Sequence, residues 1–307
     1  SERNRKMIAR VELLYKVASN YDKKKHLLSN LERTLLNNIK NTDILFFSGS
    51  GTINTRHMRG ILGVLAPCVI AKIFGKKVVL SGQGLTPMNN TIMEKYIAKV
   101  LNKLDIIALR DFQLGKKVLE RIKVNLNKVV LGIDDAFTTP VEDTGKIKIP
   151  KNAIGINISK SIKPKMYEIF YLLAKKLKKE GYNVVFNYFH PKDKEEALKC
   201  SKGKFPVVGF VKSTEMAYFY ANVMASIGMR YHSAIFGLGG GSPVINIYTN
   251  QYQYLKLKAI EDVEGLEDFT IDYRKISVDV LFKMLQRAMK SQPNIISRIK
   301  IEWTKKE

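Results

Sequence analysis

Short apolar runs alternate with longer amphipathic segments along most of this chain, and a loop of small or polar residues follows almost every apolar run. The apolar runs are typical of buried strands, whereas the segments between them repeat their apolar residues at helical spacing. In the first half, strands are predicted at 43–47, 77–80, 106–109 and 129–131. Such alternation predicts an α/β fold, in which a parallel sheet carries helices on both faces.

A polar stretch at 139–150, which contains Pro140, Gly145 and Pro150, interrupts this pattern and predicts a linker. The alternation then restarts, with strands predicted at 152–158, 181–188, 206–210, 225–228 and 244–247. A chain of 307 residues is long enough for two domains of ordinary size. We therefore expect two Rossmann-like domains that face a cleft, an N-terminal domain at 1–140 and a C-terminal domain at 150–307.

Composition limits the classes of partner and the compartment. The net charge of +24 suits nucleic acid, anionic lipid or phosphorylated substrates. The lysines, however, are spread along predicted helices and no nucleic-acid-binding motif is present, so we expect no nucleic-acid partner. No segment is apolar for long enough to span a bilayer, and residues 1–6 do not resemble a signal peptide. Cys68 and Cys200 lack nearby partners and are interpreted as inert thiols in a reducing, cytoplasmic compartment, where peripheral contact with the inner face of an anionic membrane fits the charge.

Loops after the four strands of the first half should meet at one edge of the sheet, where ligands bind. Candidate residues for lining this edge are the two glycine-rich loops, Ser48, Gly49, Ser50, Gly51, Gly82, Gln83 and Gly84. Neither loop matches a dinucleotide-binding or Walker motif. Arg110 follows the third strand directly, and Asp111 is expected to cap the next helix, which leaves Arg110 at the mouth of the strand. Asp134 and Asp135 follow the fourth strand, and turn or capping roles are favoured over metal binding.

The stretch 225–248 presents Arg230 and His232 between two apolar strands, just before a short helix. A cation and an imidazole at the end of a strand, beside the free amides of a helix N-terminus, predict an anion site. Taken singly, His232 could be a packed helix residue and Arg230 a surface cation. Ser159 and His190 also follow strands of the second half, and His190 is as much a candidate for a structural role as for a functional one.

In order along the chain, these elements resemble the polysaccharide pyruvyl transferases, enzymes of glycosyltransferase-B-like architecture. The resemblance rests on the apolar strand into residues 48–51 and on the segments 81–87, 106–111, 134–137, 228–236 and 241–248. The Arg230-Tyr231-His232 element, followed by the proline-initiated strand, is its most specific part. Members of the family usually begin with a strand and a glycine-rich turn, whereas this sequence starts on a predicted helix. The acceptor side therefore departs from the family's pattern, and whether a first strand precedes residue 1 stays open.

The resemblance implies a transferase that moves the pyruvyl group of phosphoenolpyruvate onto two hydroxyls of a sugar, as a cyclic ketal. It implies that Arg110, Arg230 and Tyr231 bind phosphoenolpyruvate and that His232 is the acid/base residue. The acceptor would be a cell-surface polysaccharide or its lipid-linked precursor. Phosphoenolpyruvate serves as co-substrate, so no cofactor and no metal are expected. The oligomeric state, the acceptor sugar and the ketal stereochemistry are not predicted.

Two other functions remain open from the sequence. A nucleotide-sugar-dependent glycosyltransferase or epimerase could use the same fold, because one fold hosts many activities. An acidic residue placed to hold the ribose of a nucleotide would favour that function, and none stands out near 230–250. A non-catalytic binder of anionic glycan or lipid is the third hypothesis, and it predicts binding that weakens steeply with salt.

Overall fold

The computed structural model describes residues 2–55, 58–261 and 266–304. The chain divides into two compact units, Ser1–Asp135 and Ala136–Glu307. Each unit is built on one sheet of parallel strands. No helix of the described segments is long and apolar enough to cross a membrane.

The first unit has four described strands, β1 (Ile44–Phe47), β2 (Lys77–Gln83), β3 (Ile106–Leu109) and β4 (Val129–Leu131). Its α-helices are α1 (Glu2–Ala18), α2 (Tyr21–Lys24), α3 (Asn30–Lys40), α4 (Met58–Ile73), α5 (Thr91–Leu101) and α6 (Phe112–Arg121). The apolar spacing over 6–39 suggests one continuous helix, but the chain breaks there into α1, α2 and α3. Ser29 starts α3 afresh with a capping box, because its amide donates to Glu32 Oε2 at 2.9 Å and its hydroxyl accepts from the Glu32 amide.

The helices described for the first unit cover one face of its sheet, whereas two covered faces were expected. The strand order β1-β2-β3-β4 follows the chain, so crossovers of the usual right hand place α4, α5 and α6 on the same side. Val78, Leu80, Ile107 and Leu109 are buried against that side. The residues that alternate with them stay 43–60% exposed, namely Ile44, Phe46, Ile106 and Val130.

The second unit has six described strands, β5 (Ala153–Asn157), β6 (Asn183–Tyr188), β7 (Val207–Gly209), β8 (Ala225–Gly228), β9 (Val244–Tyr248) and β10 (Thr270–Asp272). Its α-helices are α7 (Pro164–Lys179), α8 (Lys194–Ser201), α9 (Ser213–Asn222), α10 (Tyr231–Gly240), α11 (Gln251–Glu261) and α12 (Val278–Thr304). Strand β10 escapes prediction because its three residues give no pattern. Residues 139–150, which suggest a linker, belong to this unit, and Ile147 is buried in a cluster with Ala153 and Phe219.

The strand order in the second sheet is β10-β9-β8-β5-β6-β7. The chain therefore builds outward from β5 in one direction and outward from β8 in the other, and β5 and β8 lie side by side. Every residue of both strands is buried. In an open α/β sheet, the crevice beyond the carboxyl ends of two such strands is where ligands bind. Residues 158–160 and 229–232 follow those two strands.

The glycines at 239–241 end α10, whereas the sequence places them after a short apolar helix. A Cβ on Gly240 would lie 2.7 Å from the backbone nitrogen of Ala221, so α9 and α10 can pack this closely only without a side chain there. Gly241 has a φ of +87° and ends the helix in the left-handed conformation that favours glycine.

Both cysteines are buried free thiols, as predicted. Burial raises the pKa of the Cys68 thiol, and likewise that of the Cys200 thiol, to about 12. Because the thiolate is the reactive form, neither cysteine is suited to act as a nucleophile.

Candidate functional site

In the first unit, Asp135 joins the loop after β1 to strand β2. Its Oδ2 accepts hydrogen bonds from the Ser48 hydroxyl at 2.7 Å and from the Gly49 amide at 2.5 Å. Its Oδ1 accepts from the Ser81 hydroxyl at 2.7 Å. Asp135 therefore does more than the turn role expected of it, because one carboxylate fixes the first glycine loop against the end of β2.

Gly82 lies inside β2, which extends three residues further than predicted and has an irregular register between Leu80 and Gln83. Its φ is +52°, and a Cβ at this position would lie 2.8 Å from the carbonyl oxygen of Ile133. Glycine is required here for both reasons.

Gln83 and Gly84 connect the same strand to Ser50. The buried Gln83 side chain donates to the Ser81 carbonyl at 2.7 Å and accepts from the Ser50 hydroxyl at 3.2 Å. The Gly84 amide donates to the Ser50 carbonyl at 2.8 Å. Gly51, the last residue of the first loop, accepts from Asn54 Nδ2 through its carbonyl. The structure thus brings the two predicted glycine loops together.

Arg110 follows β3 and forms an ion pair with Asp134, with side chains only 7% and 5% exposed. Its amide donates to the Gln83 carbonyl at 3.2 Å. Its guanidinium lies against Gly84, where a Cβ would be 3.0 Å from Arg110 Nε. The ion pair with Asp134 was missed from the sequence, which suggests a turn or a cap for that residue.

Asp111 was predicted to cap α6. Its position at the helix start is confirmed, but the capping hydrogen bond to its side chain is absent. Asp111 occupies the N-cap position, and its Oδ2 instead accepts from the Leu85 amide at 3.3 Å. The backbone at Asp111 (φ −107°, ψ 58°) lies outside the extended region typical of an N-cap residue.

In the second unit, Arg230 forms a bidentate ion pair with Asp193. Arg230 Nη2 donates to Asp193 Oδ1 at 2.7 Å and to Oδ2 at 2.6 Å, and Nε donates to Oδ2 at 3.1 Å. Asp193 is fully buried, and its Oδ1 also accepts from the Lys160 amide at 2.8 Å. One carboxylate therefore joins the segments that follow β5, β6 and β8.

Asp193 is the main residue that the sequence interpretation missed. It closes the turn Pro191–Asp193 after β6, three residues beyond His190. His190 Nδ1 accepts from the Lys192 amide at 3.1 Å, so the imidazole holds the turn that presents Asp193. The sequence feature that could have identified Asp193 is an acidic residue shortly after the end of a predicted strand. Ser159 is buried and its hydroxyl oxygen accepts from Ser161, which shapes the neighbouring loop after β5.

Tyr231 and His232 are the first two residues of α10. The His232 imidazole is exposed and packs edge-to-face on the half-buried Tyr231 ring, with the centroids 5.3 Å apart. The Phe236 ring is tilted against the imidazole, with the centroids 6.4 Å apart. Ser233, one residue on, is buried and donates through its hydroxyl to the Arg230 carbonyl. These contacts fix the first turn of α10 to the residue that precedes it.

A buried polar group lies where β5 and β6 end. Asn157 and Asn187 pair in register, and Asn157 Nδ2 donates to Asn187 Oδ1 at 2.9 Å. The Tyr220 hydroxyl donates to the same oxygen at 3.2 Å, and burial raises the pKa of Tyr220, which keeps the donor protonated. These residues were also missed, although an asparagine inside an apolar strand was a visible signal.

The family model for polysaccharide pyruvyl transferases matches residues 8–251 of the chain. The chain belongs to the polysaccharide pyruvyl transferase family. The match includes all of the residues described above, from Ser48 to Phe236, and places the protein in a family of transferases. No curated protein sequence gives a significant match to the chain.

Solved structures of sugar-processing enzymes share the fold of this family member. A Listeria monocytogenes protein assigned as a UDP-N-acetylglucosamine 2-epimerase superimposes with a TM-score of 0.59 at 14% identity, covering 86% of this chain and 73% of that chain. The UDP-GlcNAc 2-epimerase from Methanocaldococcus jannaschii gives 0.56 at 13% identity, covering 90% and 83%. The glycotransferase of kitacinnamycin gives 0.51 at 10% identity, covering 85% and 71%.

At these identities the likeness shows the fold alone. It confirms the predicted glycosyltransferase-B-like architecture of two Rossmann-like domains. Within the described part of this pyruvyl transferase family member, no group of three His, Cys, Asp or Glu side chains is arranged to hold a metal ion.

Proposed function

We propose that this protein transfers the pyruvyl group of phosphoenolpyruvate onto two hydroxyls of a sugar, in a cell-surface polysaccharide or its lipid-linked precursor. Membership of the family supports the transferase class. The observation that carries the proposal is the Arg230 guanidinium, which the buried carboxylate of Asp193 fixes at the carboxyl end of β8, two residues before His232.

Donor binding follows from the way in which Arg230 is held. Asp193 takes up the edge formed by Nε and Nη2, while the side chain remains 34% exposed. Among the described residues Nη1 has no hydrogen-bond partner, so it is the donor left for an oxygen of the phosphate or carboxylate of phosphoenolpyruvate, an interaction that arginine makes well. The amides at the N-terminus of α10 add a positive field beside it. The resemblance to the family supports giving Arg110 and Tyr231 a part in donor binding as well.

His232 suits the role of acid and base, because an imidazole titrates near neutral pH. In the proposed reaction C3 of phosphoenolpyruvate takes up a proton and the first sugar hydroxyl adds to C2. The C2–O bond to phosphate then breaks, and the second hydroxyl closes the ketal at C2. The diol loses two protons, one of which ends on C3 and the other on the departing phosphate. His232 would carry a proton between the hydroxyl and C3.

The two glycine loops of the first unit are proposed for the acceptor. Ser48 is exposed and Ser50 and Gly51 are half-buried, so the first loop can present polar groups to sugar hydroxyls, whereas Gly82 and Gly84 are buried behind it and shape the second loop. The hydrogen bonds from Ser48 and Gly49 to Asp135 hold the first loop in one arrangement.

The direct test incubates the protein with phosphoenolpyruvate and a panel of oligosaccharide and lipid-linked acceptors, and measures phosphate release and the mass of the product. We expect His232→Gln to lower kcat on the order of 10²-fold or more. The matched control is His26→Gln, which changes an exposed imidazole in the first unit and should leave the rate unchanged. A His232→Gln enzyme with the rate of the wild type would refute the acid/base assignment.

A thermal-shift comparison separates this function from that of a nucleotide-sugar enzyme. Phosphoenolpyruvate should raise the melting temperature, because a ligand that binds only the native state stabilises it, and UDP-N-acetylglucosamine should not. Stabilisation by the nucleotide sugar alone would favour the glycosyltransferase or epimerase hypothesis.

A further inference from the structure

An apolar groove lies between three helices of the first unit, on a surface that the proposed reaction does not use. The cavity has a volume of about 360 Å³, and helices α1, α4 and α5 line it. The apolar side chains that form most of its wall are Ile8, Val11, Tyr15, Leu62, Ile92 and Tyr96. The hydroxyls of Tyr15 and Tyr96 are 2.8 Å apart and share one hydrogen bond, and the two rings form part of the apolar wall.

Two large apolar side chains at the rim of this groove are exposed to solvent. Ile92 is 83% exposed and Ile8 is 39% exposed, whereas Leu62 behind them is buried. Ile92 is held in the first turn of α5, whose N-cap residue Asn90 accepts a hydrogen bond from the Met93 amide. An apolar side chain presented this far into solvent at the mouth of an apolar groove is typical of an interaction surface.

The charged residues on the three helices that line the groove indicate the chemistry of its partner. Helices α1, α4 and α5 together contain nine Lys or Arg residues and three Asp or Glu residues. Lys6, Arg10 and Lys72 pair with Glu2, Glu32 and Asp105, so six of the nine cations lie outside these ion pairs. Glu94 pairs with Arg121, and Glu12 is among the residues that line the groove. Arg59, Lys95 and Lys99 are exposed on α4 and α5. Apolar side chains framed by a surplus of cations match the acyl region and the anionic headgroups of a membrane surface.

We propose that the groove between α1, α4 and α5 docks the protein on an anionic phospholipid bilayer. Ile8 and Ile92 enter the acyl region, one acyl chain lies along the groove toward Tyr15 and Tyr96, and the surrounding lysines and arginines contact the headgroups. None of the residues that line the groove is assigned a part in pyruvyl transfer, so either proposal can fail without the other.

Co-sedimentation with vesicles tests the proposal. The full chain is mixed with vesicles of phosphatidylcholine alone or with added phosphatidylglycerol, at low and at physiological salt. The wild type should bind the anionic vesicles and bind them less at higher salt. The double variant Ile8→Asn/Ile92→Asn should bind on the order of tenfold more weakly or worse, because burial of the two side chains is lost.

Matched controls distinguish binding through the groove from binding caused by any exposed apolar side chain or any pair of exposed lysines. Leu31→Asn changes a side chain on α3 that is 81% exposed and outside the groove, so it should bind as the wild type does. Lys95→Gln/Lys99→Gln should weaken binding more than Lys178→Gln/Lys179→Gln on α7. All of these positions except Ile8 are strongly exposed, and thermal melts check that each variant folds.

Three outcomes would overturn the proposal. The first is a wild type that does not bind anionic vesicles, which would mean that the groove binds a different partner. The second is undiminished binding by Ile8→Asn/Ile92→Asn, which would leave charge alone as the cause. The third is equal loss from both lysine pairs, which would remove the groove from the electrostatic contact. Phosphate release in solution, measured on the same variants, reports the proposed catalytic function separately.

Discussion

Replacing Asp193 with asparagine tests the central feature of the second unit, the buried carboxylate that holds Arg230. The substitution keeps the shape of the side chain and one acceptor oxygen, but it removes the charge and turns the second acceptor into a donor. The oxygen that remains can serve the Lys160 amide or the Arg230 guanidinium. The new amide group faces the guanidinium donors at the distance of a hydrogen bond, where it cannot accept.

The magnitude follows from burial. Removing one partner of a fully buried ion pair costs about 3–5 kcal/mol, and a hydrogen bond to a charged group contributes about 1.5–3 kcal/mol. Asp193 is fully buried, but water reaches the 34% exposed Arg230 side chain, and asparagine retains one acceptor. We therefore expect a loss of about 2–3 kcal/mol in the free energy of unfolding. For a unit of this size, that corresponds to a fall of about 4–12 °C in the melting temperature.

The assay combines thermal unfolding with steady-state kinetics. Because Arg230 would no longer be fixed, the KM for phosphoenolpyruvate should also rise about tenfold, which is ~1.4 kcal/mol of lost binding. The matched control is Asp268→Asn, which changes an exposed Asp–Arg pair 3.7 Å apart in the same unit and should alter stability by less than about 1 kcal/mol. An Asp193→Asn protein with the melting temperature and KM of the wild type would refute the reasoning.

Three further substitutions test other parts of the structure. Gly82→Ala should destabilise the first unit by about 1–3 kcal/mol, measured by urea unfolding, because φ is +52° and the new Cβ would lie 2.8 Å from the Ile133 carbonyl oxygen. Arg274 lowers the pKa of Asp272 to about 2, so this pair adds stability above about pH 4 that is lost as the pH falls toward 2; Asp272→Asn should flatten that part of the stability curve. Arg230→Lys should raise the KM for phosphoenolpyruvate in donor-saturation kinetics, because one ammonium cannot serve its carboxylate partner and the donor as an arginine does.

The sequence predicted most strands well because each is an apolar run between polar or small residues. Residues 106–109, 129–131 and 225–228 form strands with the predicted bounds. Helix starts were predicted less well. Serine is a common capping residue and Ser213 stands at the start of α9, but Lys212 is the N-cap residue, and the Glu215 carboxylate accepts from the amides of Val211 and Lys212 instead. Several side chains near a helix start can reach the same amides, and packing decides which one does.

The partners of the two arginines could not be predicted, because they depend on the order of strands. The sequence places Arg230 after β8 and Asp193 after β6, 37 residues apart. They meet because β5 lies between β8 and β6 in the sheet, so that all three strand ends face the same edge. Long-range order of this kind is not encoded in the local pattern of apolar residues. His190 shows the same limit, since only the structure shows that its Nδ1 holds the turn leading to Asp193.

Each arginine assigned to the anionic donor already has a carboxylate partner, and this arrangement is consistent with donor binding. A long arginine side chain loses rotational freedom about several bonds when it binds a ligand. A buried acid that already holds the arginine restricts that freedom before the ligand arrives, so less entropy is lost on binding. Arg230 keeps Nη1 and a partly exposed side chain after Asp193 has taken the opposite edge. Arg110 is more deeply buried with Asp134, which suits a fixed positive charge more than a mobile one. The net charge of +24 lies mainly on other residues, so it can attract anions over long distances, and orientation of the donor is the role that we propose for Arg230.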